Sequence, residues 1–175
     1  MTTQEKEGTP GSRHHLGGGR AIGIGILSVT DTHTEEDDPS GHLARELLTK
    51  AGHRVLRYRL VANSIADVRD ALEPMLDTIE VEAAVTVGGT GVSSRDLTVN
   101  AIEAMGGKLL PGFGEIYRSV SYADVGPVAI LSRASLFVVK LKPVFALPGS
   151  ERAVRTAIET LIGPSASHLV DELER

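Results

Sequence analysis

Residues 82–96 read EAAVTVGGTGVSSRD, and this stretch decides the fold. Its first half, 82–87, is a short apolar run of strand length. It breaks at once into Gly88, Gly89 and Gly91, and a helix is expected soon after, over 99–105. A strand that runs through a glycine loop into a helix is a unit of an open α/β sheet. Glycines there permit positive φ and let a ligand approach the backbone closely. Successive amides in such a turn converge on an oxyanion. A tight turn of small residues would look the same, so the loop alone suggests a ligand without proving one.

The alternation continues on both sides of this unit. Upstream, 22–29 (IGIGILSV) reads as a strand buried on both faces. An acidic loop follows over 31–40, then a helix over 41–51 stopped by Gly52, a strand over 54–61, and a helix over 65–76. That last helix carries Ile65, Val68, Leu72 and Leu76 at helical spacing. Downstream, Thr98 is the expected N-cap of the helix over 99–105 and Gly106 its stop. A helix is expected over 113–122. Segments 128–131 and 136–141 suggest a hairpin or strand pair, 144–147 a last strand, and Ser150 the cap of a terminal helix reaching past Leu161. The fold class is therefore α/β, with a mostly parallel sheet and helices on both faces.

With 175 residues, the chain is the size of one domain, expected over 20–175 behind a disordered tail over 1–19. The tail lacks the apolar segment of a secretory signal, and no apolar run is long enough for a membrane helix. The absence of cysteine excludes disulfides, thiolate zinc sites and cysteine nucleophiles, and it fits a reducing cytoplasm. A net charge of -5 and an aromatic content of 3% supply neither the basic field nor the stacking platforms that nucleic acid needs. A small polar ligand is the better expectation.

In such sheets ligands bind beyond the carboxyl ends of the strands. Four segments fall there: Ser28, Thr30 and Asp31; residues 62–64; the loop of Gly88, Gly89, Thr90 and Gly91 leading to Asp96; and Pro148, Gly149 and Ser150. Ser132 and Arg133 form a similar polar pair. Asp96 lies just before the helix expected over 99–105. There it either favours the helix start or acts as a Mg²⁺ ligand or positioning group in phosphoryl chemistry. The acids Glu35, Glu36, Asp37 and Asp38 read as a solvated loop. The histidines show no zinc-ligand spacing. Gly23 and Gly25 lie inside a strand and make no dinucleotide fingerprint, and neither a phosphate-binding P-loop nor a nucleophile elbow is present.

Taken together, TVGGTGVSSRD at 86–96, PGFGE at 111–115 with Arg118, LSR at 131–133 and LPGS at 147–150 resemble the molybdenum-cofactor biosynthesis MoaB/MogA family. EDDPSG at 36–41 and the GFGE form lean toward the MoaB branch. The likeness runs over about residues 21–165. It implies a three-layer α/β/α sandwich with a mostly parallel central sheet, assembled as homotrimers or homohexamers. It also implies a molybdopterin pocket and Mg-ATP-dependent adenylylation of molybdopterin, with Mg²⁺ as cofactor and ATP as co-substrate. On that likeness the 88–91 loop holds the pterin or its phosphate, Asp96 is the catalytic aspartate, and Ser28, Thr30, Ser132 and Ser150 line the pocket.

Two positions depart from the pattern. Where the family commonly carries a second functional aspartate after its second strand, this chain has Asn63. A unit charge pair at ~4 Å is worth roughly 4 kcal/mol at an effective dielectric of about 20. Losing it would slow the reaction roughly a hundredfold or more unless Asp31 or an acid of the 35–38 loop substitutes. The alternative function is a protein that holds molybdopterin without adenylylating it. The second departure is Phe137, where many relatives have glycine.

Overall fold

The computed structural model describes residues 19–175; the expected tail lies outside them except for Gly19. Six strands form one sheet: β1 (Gly23–Val29), β2 (Arg54–Val61), β3 (Ala83–Val87), β4 (Lys108–Leu110), β5 (Ser135–Val139) and β6 (Lys142–Leu147). Their spatial order is β2-β1-β3-β6-β5-β4. Pairs β1–β2, β1–β3 and β3–β6 are parallel, while β5 runs antiparallel to β4 and β6. Every residue of β1 and β3 is buried, as expected of central parallel strands covered on both faces.

The helices are α1 (Pro39–Lys50), α2 (Ile65–Asp77), α3 (Thr98–Ala104), α4 (Pro111–Val125), α5 (Glu151–Ala157) and α6 (Gly163–Leu173). Strands β2 and β3 flank β1 on opposite sides, so right-handed crossovers carry α1 and α2 to opposite faces of the sheet. The core divides accordingly. Leu43, Leu47 and Leu48 of α1 pack with Ile24, Ile26, Val85 and Val154 on one face. Val68, Leu72 and Met75 of α2 pack with Leu27, Ala84 and Ile102 on the other. The result is a three-layer α/β/α sandwich. Gly25 lies against Met75, where a Cβ would collide with the thioether, so this glycine lets α2 approach the sheet.

Several expectations need correction. Helix α1 starts at Pro39 rather than Gly41, because Asp38 is its N-cap and accepts the Gly41 N–H at 3.1 Å. Proline at the first helical position fits that start. Thr98 is not the cap of α3: it is the first helical residue, and its hydroxyl donates to the Gly88 carbonyl at 2.8 Å. Segment 128–131 is no strand but part of a 3-10 turn, Gly126–Leu131. The hairpin is instead β5–β6, turned at Lys140 and Leu141, both with positive φ. Strand β4 was not expected from the sequence. Ile65 is half-exposed rather than core, while Phe137 is fully buried on the α2 face of the sheet.

Candidate functional site

Sheet order reverses between β1 and β3, so the crevice beyond their carboxyl ends is the topological switch point. A cavity of about 530 Å³ opens there, within the range of small-molecule sites. The backbone of the glycine loop forms its floor. Gly88 has φ +103°, and its N–H donates to the Leu147 carbonyl at 2.9 Å. A Cβ on Gly88 would strike the Val29 carbonyl, and one on Gly89 would strike the Thr98 hydroxyl. Only glycine lets the loop lie this close to its neighbours.

Asp96 closes the loop. Its Oδ2 accepts the Ser93 N–H at 2.9 Å, and its other oxygen is not engaged by that bond. Asn63 stands across the loop, with its own N–H donating to Asp31 Oδ1 at 2.8 Å and its Oδ1 accepting the Leu97 N–H at 3.2 Å. Thr30 Oγ1 accepts the Thr32 N–H at 3.2 Å, which closes a local turn just past the end of β1.

Asp38 also lines the cavity, and sequence reasoning missed it. Only 3% exposed, it accepts the Tyr58 hydroxyl at 2.6 Å and also receives hydrogen bonds from Ser28 and the Gly41 N–H. Burial pushes its carboxyl up, but those donors, with nearby His42, outweigh burial and hold it below the usual carboxylate range. Of the four-acid run, Glu35, Glu36 and Asp37 are exposed as expected; Asp38 is not a solvated residue. The available signal was Asp38 before Pro39, which reads as an N-cap followed by a first helical proline. Ser40 was missed as well; its hydroxyl donates to the Gly149 carbonyl at 2.7 Å and ties α1 to the β6–α5 turn.

The structure thus brings Ser28, Thr30, Asp31, Asn63, Gly88, Gly89, Asp96 and Gly149 to one cavity, together with Asp38, His33 and Arg95. Thr90 is buried and fixed through its carbonyl to the Arg133 N–H at 3.0 Å, but it does not line this cavity, and neither does Gly91. Ser132, Pro148 and Ser150 line a separate, smaller cavity of about 150 Å³ beside Tyr117 and Arg152. Ser150 also caps α5, its hydroxyl accepting the Ala153 N–H at 3.3 Å.

A mostly parallel sheet with a polar crevice at its switch point, floored by glycine backbone and walled by carboxylates, defines a small-molecule-binding α/β protein. Residues 25–168 match the family described as "Probable molybdopterin binding domain". Molybdenum cofactor biosynthesis protein B of Bacillus cereus is 42% identical over 151 residues, covering 86% of this chain and 89% of that protein. The Bacillus subtilis protein of the same name is 41% identical over 152 residues, with the same coverage. A crystal structure of a molybdenum cofactor biosynthesis protein B superposes with TM-score 0.86 at 39% identity, covering 91% of this chain and 99% of that one. The tungsten cofactor synthesizing protein MoaB of Pyrococcus furiosus gives TM-score 0.77 at 30% identity, covering 90% of this chain and 100% of that one. This chain belongs to the molybdenum-cofactor biosynthesis MoaB/MogA family.

Proposed function

We propose that this chain binds molybdopterin in the switch-point cavity and transfers to it the adenylyl group of ATP. A molybdopterin phosphate oxygen attacks the α-phosphorus of ATP. A new P–O bond forms, the bond to the pyrophosphate leaving group breaks, and adenylyl-molybdopterin and pyrophosphate are released. The observation that carries this reading is the convergence of Asp31, Asp38 and Asp96 on a cavity floored by the 88–89 backbone. Asn63 contributes no charge, but Asp31, which accepts the Asn63 N–H at 2.8 Å, places a carboxylate beside it.

The donor set fits magnesium. Among the described residues no cluster of three His, Cys, Asp or Glu side chains forms a protein-only metal cage. Mg²⁺ needs none, since it is commonly held by one or two carboxylates together with substrate phosphates. Asp96 and Asp31 are the residues that would hold it, and bound there it would neutralise phosphate charge. The protein's own share is positioning: with the Gly88 N–H held by Leu147, the Gly89 amide orients phosphate, and Ser28 and Thr30 orient groups at the β1 end.

Purified protein given molybdopterin, ATP and Mg²⁺ should release pyrophosphate and form adenylyl-molybdopterin, and Asp96→Ala should abolish both. No turnover by the wild type at saturating ligand would sink the transferase reading.

One observation favours a second reading. The side-chain oxygen of Asn63 is already occupied by the Leu97 N–H, as a purely structural residue would be. A protein that only holds molybdopterin would show tight binding by calorimetry without pyrophosphate release, and Asn63→Asp would gain turnover. The family likeness also implies a homotrimer or homohexamer, which sedimentation of the full chain will read.

A further inference from the structure

We propose that the groove between α1 and the edge strand β2 is a second ligand site, one that takes a small phosphate-bearing anion. The groove has a volume of about 460 Å³ and is lined by Arg45, Thr49, His53, Arg54, Arg57 and Tyr58 among others, with no carboxylate in its lining. Among the described residues, no ion pair engages Arg45, Arg54 or Arg57. Three lining arginines without a carboxylate partner stand out in a chain of net charge -5; Arg57 donates one N–H to the Leu56 carbonyl at 3.1 Å and keeps its other donors. Guanidinium groups are the side chains best matched to phosphate oxygens, through paired charge-assisted hydrogen bonds.

Arginine on an edge strand has another use, since it deters strand-to-strand aggregation. That explains Arg54 and Arg57 singly, but not the other two members of the groove. Arg45 comes from α1 and lies over the Tyr58 ring, 4.8 Å from its centroid, which holds its charge at the groove. His53 is only 6% exposed. Its Nε2 lies 3.4 Å from the Gly163 carbonyl, while its Nδ1 is buried with no hydrogen-bond partner. A carbonyl only accepts, so Nε2 carries the proton there, and Nδ1 can serve an anion as a donor in the doubly protonated imidazolium form.

The backbone is shaped to build this groove. Strand β2 carries a bulge at Leu56, where register with β1 jumps from Val55 opposite Ile24 to Arg57 opposite Gly25. The bulge lets Tyr58, rather than Arg57, share with Val55 the face packed on the core, and it re-aims Arg57. Tyr58 also reaches through to the switch-point cavity, donating its hydroxyl to Asp38 at 2.6 Å.

The test follows the His53 imidazole signals by NMR in the full chain during titration with inorganic phosphate and with pyrophosphate; sulfate and chloride serve as controls. We expect a saturable shift with Kd below about 1 mM for at least one of the two phosphates, present equally in Asp96→Ala. Arg54→Gln/Arg57→Gln should weaken binding by about tenfold or more with unchanged spectral dispersion, and Arg54→Lys/Arg57→Lys should recover part of it. The proposal is overturned by no saturable shift, by an equal response to sulfate and chloride, or by a response that survives in the double glutamine variant. It is overturned too if the shift disappears in Asp96→Ala, which would place the anion in the switch-point cavity instead.

Discussion

The side-chain oxygen of Asn63 accepts the backbone N–H of Leu97 at 3.2 Å, while the backbone N–H of Asn63 donates to Asp31. Three loops that border the cavity are thereby linked through one residue. Asn63→Ala should cost about 1 kcal/mol, the typical value of a lost capping or loop hydrogen bond. Asn63→Asp retains an acceptor and adds negative charge at a helix start, so its unfolding free energy in urea titrations should stay within about 0.5 kcal/mol of wild type. An equal loss in both variants would show that the bond to Leu97 is not what holds the loops together.

Asp38 should govern part of the acid stability. Its carboxyl is held below its ordinary value in the folded state, so its charged form contributes stability above about pH 4. That contribution is lost as pH falls through the depressed folded value. Urea titrations between about pH 6 and pH 2 should show Asp38→Asn less stable than wild type at neutral pH, with a flatter decline on the acid side. Parallel curves would contradict the assignment.

Tyr58→Phe removes the hydroxyl that meets Asp38 and should cost about 1.5–3 kcal/mol, as for a hydrogen bond to a charged group. Burial first, then the Asp38 hydrogen bond and charge, push the Tyr58 phenol above its ordinary range. Its neutral form therefore contributes stability that persists below about pH 10 and is lost only as pH rises through the raised folded value. Burial raises Tyr117 as well. Phenolate absorbance should thus show two late-ionising tyrosines in the wild type and one in Tyr58→Phe.

Gly88→Ala combines positive φ with a collision against the Val29 carbonyl. Strain of this kind costs about 1–3 kcal/mol, and the floor must shift to relieve it. Thermal unfolding should register the loss, and molybdopterin binding should weaken alongside it. Gly52→Ala is the control: its φ is also positive, but nothing lies near its missing Cβ and it is remote from the cavity. It should lose stability while leaving binding unchanged.

The parallel half of the sheet was legible because β1 and β3 are apolar apart from Ser28 and Thr86, and α2 carries Val68, Leu72 and Leu76 on one face. The glycine loop, Asp96 and the Ser150 cap were legible because their chemistry is local. Strand β4 was not: its three residues carry no periodicity, and pairing with β5 alone makes it a strand. Segment 128–131 is apolar yet exposed at Val128 and Ile130, so composition pointed to a strand where the chain makes a 3-10 turn. Asp38 looked like its three acidic neighbours because its burial is created by Tyr58, twenty residues away. Ser132 and Ser150 share the sheet edge with the glycine loop but face another cavity, a distinction that sequence order does not encode.

The floor of the switch-point cavity is made by Gly88 and Gly89, two residues with no side chain to exchange. Substitution there alters the architecture before it alters the ligand. Any divergence in what this pocket accepts is therefore confined to its rim, where the exposed His33 and Arg95 can change without disturbing the strands beneath. Selectivity among relatives of this fold should be sought in those two positions, with the glycines treated as the fixed frame against which they vary.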